Sequence, residues 1–83
     1  MSSKKIKVER VQTGVRMEKR MLKVLKAMAE YHDISLGDLL EGIVLHAFEG
    51  QSPFDAESIK RINALKKIYE MEYDSSASHR FVE

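Results

Sequence analysis

The sequence predicts a mostly α-helical chain with one short strand, and three observations favour this fold class. Apolar residues recur at three- and four-residue steps over three segments, which is the period of amphipathic helices. One segment, residues 10–17, alternates polar and apolar positions, which is the period of a half-buried strand. The 83 residues include only one Pro and four Gly, too few for a loop-rich all-β fold.

The strand comes first in the chain. Its backbone N–H and C=O groups need a partner, and no other segment alternates in the same way. Pairing with the same strand of a second molecule about a two-fold axis would give hydrogen-bond partners to the N–H and C=O groups of both strands. The sequence therefore predicts a homodimer joined by an intermolecular two-stranded antiparallel ribbon. Its core is predicted to contain Val11, Val15, Met17, Met21, Leu25, Leu40, Ile43 and Val44.

The first two helices are predicted to form a tight pair. Met21, Leu25 and Met28 lie on the apolar face of a helix over about residues 18–32. Asp33 then suits a left-handed turn, because Asp tolerates that conformation better than most residues. Ser35 follows as the N-cap of the next helix, so only two residues separate the pair.

The second helix has the strongest pattern of the chain. Its apolar residues follow a regular stripe from residue 36 to residue 48, and Asp38 stands three residues after the Ser35 cap. Gly50 supplies a stop. Gly42 lies in the middle, where glycine costs about 0.5–1 kcal/mol relative to Ala. Close approach of another helix is the expected reason for it.

A third helix is predicted within residues 51–73. Ser52 is its expected N-cap with Pro53 in the first helical position. Ile59, Ile62 and Leu65 then belong to an apolar stripe that must be covered, by the dimer, by a second dimer or by another protein. Residues 74–83 are predicted to be a flexible tail.

The charge is strongly segregated along the chain. The formal net charge is only +1, yet residues 1–26 carry +7 and residues 27–57 carry −7. Such segregation indicates a polyanionic partner for the basic third, with nucleic acid ahead of a membrane surface.

Other functional classes find no support in the sequence. There is no Cys, and His32, His46 and His79 lack the spacing of metal ligands. No nucleotide-binding or hydrolase motif occurs, so we expect neither an enzyme nor a cofactor. No apolar run is long enough to span a membrane, and the first residues lack the apolar region of a signal peptide. A cytoplasmic protein is therefore expected, and nucleic acid as its partner would place it on the nucleoid.

The order of strand, helix, two-residue turn and capped helix resembles the ribbon-helix-helix DNA-binding proteins, the family of the Arc and MetJ repressors. The resemblance covers residues 11–48. Val15-Arg16-Met17 at the entry to the first helix and the stretch 33–40 around the turn carry it. The sequence departs from the family at Asp33, where Gly is usual, and at Glu18, where Pro is frequent.

The resemblance implies a DNA-binding homodimer whose ribbon reads the major groove. The strand face expected to read bases consists of Arg10, Gln12, Gly14 and Arg16. A one-residue shift would turn the other face to the DNA, with Val11, Thr13 and Val15. The expected phosphate contacts are the arm lysines and the start of the second helix: Lys4, Lys5, Lys7, Ser35, Leu36 and Gly37.

The predicted organisation is a basic arm at 1–9, a DNA-binding domain at 10–50, a third helix at 51–73 for stability or assembly, and the tail. The expected function is a sequence-specific transcriptional repressor or DNA-organising factor, with DNA and a second copy as partners and a tetramer as a further assembly. An antitoxin with a partner-binding C-terminal segment remains an alternative. Another alternative is an interaction module that does not bind DNA, in which the third helix serves oligomerisation or senses a protein or small-molecule effector.

Overall fold

The fold is seen in a computed structural model that describes residues 5–83. Three helices follow one another: α1 (Lys19–His32), α2 (Leu36–Phe48) and α3 (Ala56–Ile68). A single 3-10 turn at Ser75–Ala77 follows them. Residues 5–83 contain no β-strand, so the predicted strand at 10–17 and the intermolecular ribbon built on it are wrong.

The N-terminal segment shows why the alternating pattern failed. Residues 5–17 are irregular and make no backbone-to-backbone hydrogen bond with any residue in the range 5–83. Alternation can create an apolar face, but it does not supply the neighbouring backbone that a strand needs. Here even that face is missing, because Val11 and Val15 are 78% and 75% exposed.

The helix α1 begins and ends with side-chain and backbone caps. The Glu18 carboxylate accepts hydrogen bonds from the N–H groups of Arg20 and Met21, both at 3.1 Å. At the other end Asp33 has φ 59°, and its N–H donates to the last carbonyls of the helix. The predicted left-handed turn at Asp33 is therefore confirmed.

The helix α2 is held at the position that its sequence predicts. Ser35 Oγ accepts a hydrogen bond from the N–H of Asp38 at 3.0 Å, which confirms the N-cap. Gly50 has φ 69°, the left-handed conformation expected of the stop. At Gly42 an added Cβ would meet nothing within 4 Å, so no helix approaches it closely within one copy of the chain.

The helix α3 begins later than predicted. Its N-cap is Asp55, whose carboxylate accepts the N–H of Ser58 at 2.8 Å. Ser52 is not the cap because its hydroxyl instead donates to the carbonyl of Phe54 at 3.0 Å, within the turn before the helix. Pro53 accordingly lies in that turn and outside the helix.

The core lies where α1 packs between the other two helices. The backbone of α1 approaches those of both α2 and α3 closely, whereas the backbones of α2 and α3 do not approach each other within 8 Å between Cα atoms. Among residues 5–83 the buried apolar side chains belong to Val24, Met28, Ala29 and Leu39. Ile62 and Leu65 of α3 pack against this cluster, so half of the α3 stripe is covered by the chain's own α1.

Candidate nucleic-acid interface

The residues predicted to read bases all lie in the irregular segment before α1. Arg10, Gln12, Gly14 and Arg16 are exposed, and so are the intervening residues. A Cβ at Gly14 would meet nothing within 4 Å. This segment has no inward and outward face, so it presents its whole surface to solvent.

Arg10 ties the segment to α2. Its Nε lies 3.0 Å from Glu41 Oε2 and its Nη2 lies 2.8 Å from Glu41 Oε1, a bidentate ion pair. The hydrogen bond and charge of Glu41 raise the pKa of Arg10, to which Asp38 adds, and the same hydrogen bond lowers the pKa of Glu41. The segment is thereby placed alongside the first turns of α2.

Arg16 is held more weakly. Its Nη2 lies 2.9 Å from Glu83 Oε1, and both side chains are strongly exposed. Ion pairs of this kind contribute little because water and salt screen them. A phosphate or a base can therefore replace Glu83 at low cost.

The start of α2 provides backbone donors for an anion. The N–H groups of Leu36 and Gly37 find no hydrogen-bond partner among residues 5–83, as is usual at a helix start, and the helix dipole favours negative charge there. Asp38 in the same turn opposes an incoming anion, whereas Arg10 nearby attracts it. The Ser35 side chain caps the N–H of Asp38, so the N–H groups of Leu36 and Gly37 stay available to an anion.

The basic arm is described only in part. Lys4 lies outside the described residues. Lys5 and Lys7 are exposed and make no salt bridge with any residue in the range 5–83.

A row of lysines on α1 belongs to the basic third, although the sequence analysis assigned none of them an individual contact with DNA. Lys19, Lys23 and Lys26 are exposed, and their i, i+4, i+7 spacing places them on one face of the helix. Within the described chain none of the three makes a salt bridge. Lys23 Nζ lies 5.7 Å from the centroid of the Tyr69 ring. The spacing itself was the signal that could have identified this lysine row.

The chain after α3 returns to the start of α1. The Tyr73 hydroxyl donates a hydrogen bond to Glu18 Oε1, and Arg20 Nη1 donates to the carbonyl of Glu70 at 3.0 Å. Hydrogen bonds from Tyr73, then from the N–H groups of Arg20 and Met21, lower the pKa of Glu18 to about 2. Burial, followed by the bond to Glu18, raises the pKa of Tyr73 to about 12. No sequence pattern indicated this junction.

The residues predicted for a dimer core fall into three groups in one copy of the chain. Leu25 and Ile43 pack against the buried cluster. Met17, Met21 and Leu40 are half-buried. Val11, Val15 and Val44 are exposed.

The last findings concern metal binding, membrane spans and similarity to known proteins. Residues 5–83 contain no group of three or more His, Asp or Glu that could hold a metal ion. No helix in the same range has the length and apolarity needed to cross a membrane. Comparison with known proteins finds no matching family model, and no curated protein or solved structure with significant similarity. The function therefore has to be argued from the geometry of the chain itself.

Proposed function

We propose that this protein binds double-stranded DNA through its basic N-terminal third, as a sequence-specific transcriptional repressor or DNA-organising factor. The observation that carries the proposal is a group of five exposed lysines in the first third of the chain that make no salt bridge with any residue between 5 and 83. They are Lys5 and Lys7 before α1 and the lysine row on it. Cations left without internal partners suit phosphate groups, which provide most of the affinity of proteins for DNA.

The lysine row has dimensions that suit a nucleic-acid backbone. From Lys19 to Lys26 the helix rises about 10 Å, at about 1.5 Å per residue. Lysine side chains are long and flexible, so three of them on one helix face over this length can reach neighbouring phosphates of one strand. The lysines can therefore contact successive phosphates without a change in α1.

In this proposal, the exposed segment before α1 recognises the DNA sequence. Arg10 and Arg16 can pair with the O6 and N7 of guanine, and Gln12 can pair with adenine. Arg10 must exchange Glu41 for the DNA, while Arg16 has only a screened ion pair to lose. The resemblance to the ribbon-helix-helix family is proposed for the helix pair alone, because residues 5–83 form no ribbon; its support is α1, the Asp33 turn and the capped α2.

A second copy of the chain is the proposed protein partner. Val44, Leu45 and Phe48 of α2 are 43%, 63% and 78% exposed, and they lie within one helical turn. A core of so few buried side chains gives a chain of this size little stability alone. Burying this α2 face against its equivalent would enlarge the core and double the number of cations. With DNA as the ligand, the expected place is the cytoplasm, on the nucleoid.

Fluorescence anisotropy with a labelled random-sequence duplex tests the proposal. Lys19→Ala combined with Lys23→Ala should weaken binding several-fold. The matched control is Lys60→Ala combined with Lys67→Ala, which has the same net charge but changes exposed lysines of α3. Equal affinities of the two variants would contradict the proposal. Binding to anionic vesicles without binding to DNA would contradict it as well, in favour of a membrane surface.

A further inference from the structure

A second feature of the molecule lies away from the cations that the DNA proposal uses. A groove of about 460 Å³ runs between α1, α3 and the chain that follows α3. Its walls are mostly apolar, and they contain Met21, Val24, Leu25, Met28, Phe54, Ile62, Met71, Tyr73 and Phe81.

The groove has the size and the chemistry of a small-molecule site. Such sites in proteins measure about 300–1,000 Å³, and they are lined by apolar side chains with a few polar groups. Three of the lining residues are methionines, whose unbranched side chains adjust to ligands of different shape. One end of the groove reaches the described core at Met28, so an apolar chain there would be removed from water.

The polar rim determines which head group fits. Lys66 lies on the wall and is half-buried, and its ammonium group makes no hydrogen bond or salt bridge with any residue between 5 and 83. Asp74 lies on the same rim, but its Oδ1 is occupied by the N–H and hydroxyl of Ser76 at 2.9 and 2.7 Å. Ser75, Ser78 and His79 complete the rim and carry no fixed negative charge.

We propose that this groove binds a free fatty acid, an unbranched apolar chain with a single carboxylate. The carboxylate pairs with Lys66, whose charge also acts on Asp74 but which makes no salt bridge with residues 5–83, and the chain lies along Met21, Leu25 and Ile62. Ser75 and Ser78 supply hydroxyl groups that can donate to the second carboxylate oxygen. The inference does not depend on DNA binding, because Lys5, Lys7 and the lysine row do not line the groove.

Methyl NMR of the full chain tests where the ligand binds. The protein has five methionines, so selective ¹³C-methyl labelling gives few signals. Decanoate, below its micelle-forming concentration, should shift the signals of Met21, Met28 and Met71 in a saturable manner. Met17 does not line the groove and serves as the internal control. No saturable shift, or an equal shift at Met17, would overturn the proposal.

Substitution of the two charged rim residues, Lys66 and Asp74, tests the proposed contact with the carboxylate of the ligand. Lys66→Met should weaken decanoate binding about tenfold, the order expected when a charge-assisted hydrogen bond is lost. Lys60→Met, on the exposed side of α3, should leave it unchanged. Asp74→Asn should strengthen binding slightly, because it removes the nearby negative charge.

Decanol and phospholipid vesicles separate the alternatives. Decanol lacks the carboxylate, so it should bind more weakly and be insensitive to Lys66→Met. Equal affinity of decanol and decanoate would overturn the proposed head-group contact. Anionic phosphatidylglycerol vesicles should not compete with decanoate for the groove. If they bind at the methionines while decanoate does not, the ligand is a membrane lipid and the proposal is wrong.

Discussion

Glu18 joins the start of α1 to the chain that follows α3 through one carboxylate. It caps the start of α1, it accepts a hydrogen bond from Tyr73, and its Oε2 lies 3.1 Å from Arg20 Nε. The Arg20 guanidinium also lies 5.5 Å from the centroid of the Tyr73 ring. Glu18 therefore fixes the returning chain to α1.

The pH dependence of stability should reveal this role. The folded pKa of Glu18 is lowered from 4.5 to about 2, so its contribution is present above the unfolded pKa. It is lost as the pH falls from about 4.5 toward 2. Glu18→Gln should therefore lower Tm at pH 7, and the difference from the wild type should shrink over that window. Glu72→Gln, an exposed matched change, should show no such convergence, and a constant difference for Glu18→Gln would contradict the assignment.

Arg16 should determine sequence preference more than overall affinity. Its screened pair with Glu83 leaves it available for a base edge. Arg16→Ala should cost about 1–3 kcal/mol for the preferred site and little for random DNA. Selection from a random duplex library, followed by titration of the selected site, measures both. An unchanged preference would place base recognition elsewhere in the chain.

At the scale of elements, the sequence predicted what local chemistry determines. The Ser35 cap, the Asp33 turn and the Gly50 stop depend on neighbouring residues, and all three were found. The strand failed because its partner cannot be encoded within the segment. The α3 start was missed because Ser52 and Asp55 are both good caps, and only the turn geometry selects between them.

The candidate site was predictable in composition but not in geometry. The basic residues could be read directly from the sequence, including the lysine row, whose spacing is helical. Arg10 and Glu41 are 31 residues apart, and Glu18 and Tyr73 are 55 apart. No local pattern relates residues at such separations, so these contacts required the fold.

Substitution of two glycines that differ in backbone conformation tests the description of α2. Gly42→Ala should stabilise the fold by about 0.5–1 kcal/mol, because the added methyl meets nothing and the helix gains propensity. Gly50→Ala should destabilise it by about 1–2 kcal/mol, because φ 69° is strained for Ala. Urea denaturation measures both. Destabilisation by Gly42→Ala would show that another chain approaches α2 closely at that position.

At the scale of the whole molecule, apolar surface remains outside the core. Val44, Leu45 and Phe48 of α2 form one exposed apolar face, and Ile59 and Ile68 of α3 are 44% and 68% exposed. The proposed dimer uses the α2 face. Such a dimer would place two basic N-terminal segments in one particle.

Self-association should depend on α2 and not on α3. Phe48→Ser should shift the protein toward monomer in analytical ultracentrifugation, because Phe48 is the most exposed large apolar residue of α2. Ile68→Ser is the matched control, since Ile68 of α3 is 68% exposed and lies outside the proposed interface. Dissociation by both variants, or by neither, would contradict an α2 interface.

The salt dependence of DNA binding tests the central claim most directly. When lysines or arginines of a protein neutralise DNA phosphates, the counterions of those phosphates are released. The slope of the logarithm of the association constant against the logarithm of salt concentration therefore reports the number of neutralised phosphates, at about 0.9 for each. The wild type should bind a random duplex with a steep negative slope. Replacing Lys19, Lys23 and Lys26 together with Ala should reduce its magnitude by about 2.7 per chain, at about 0.9 for each lost contact. Binding that is insensitive to salt, or a slope that the triple replacement leaves unchanged, would show that the basic third does not contact DNA.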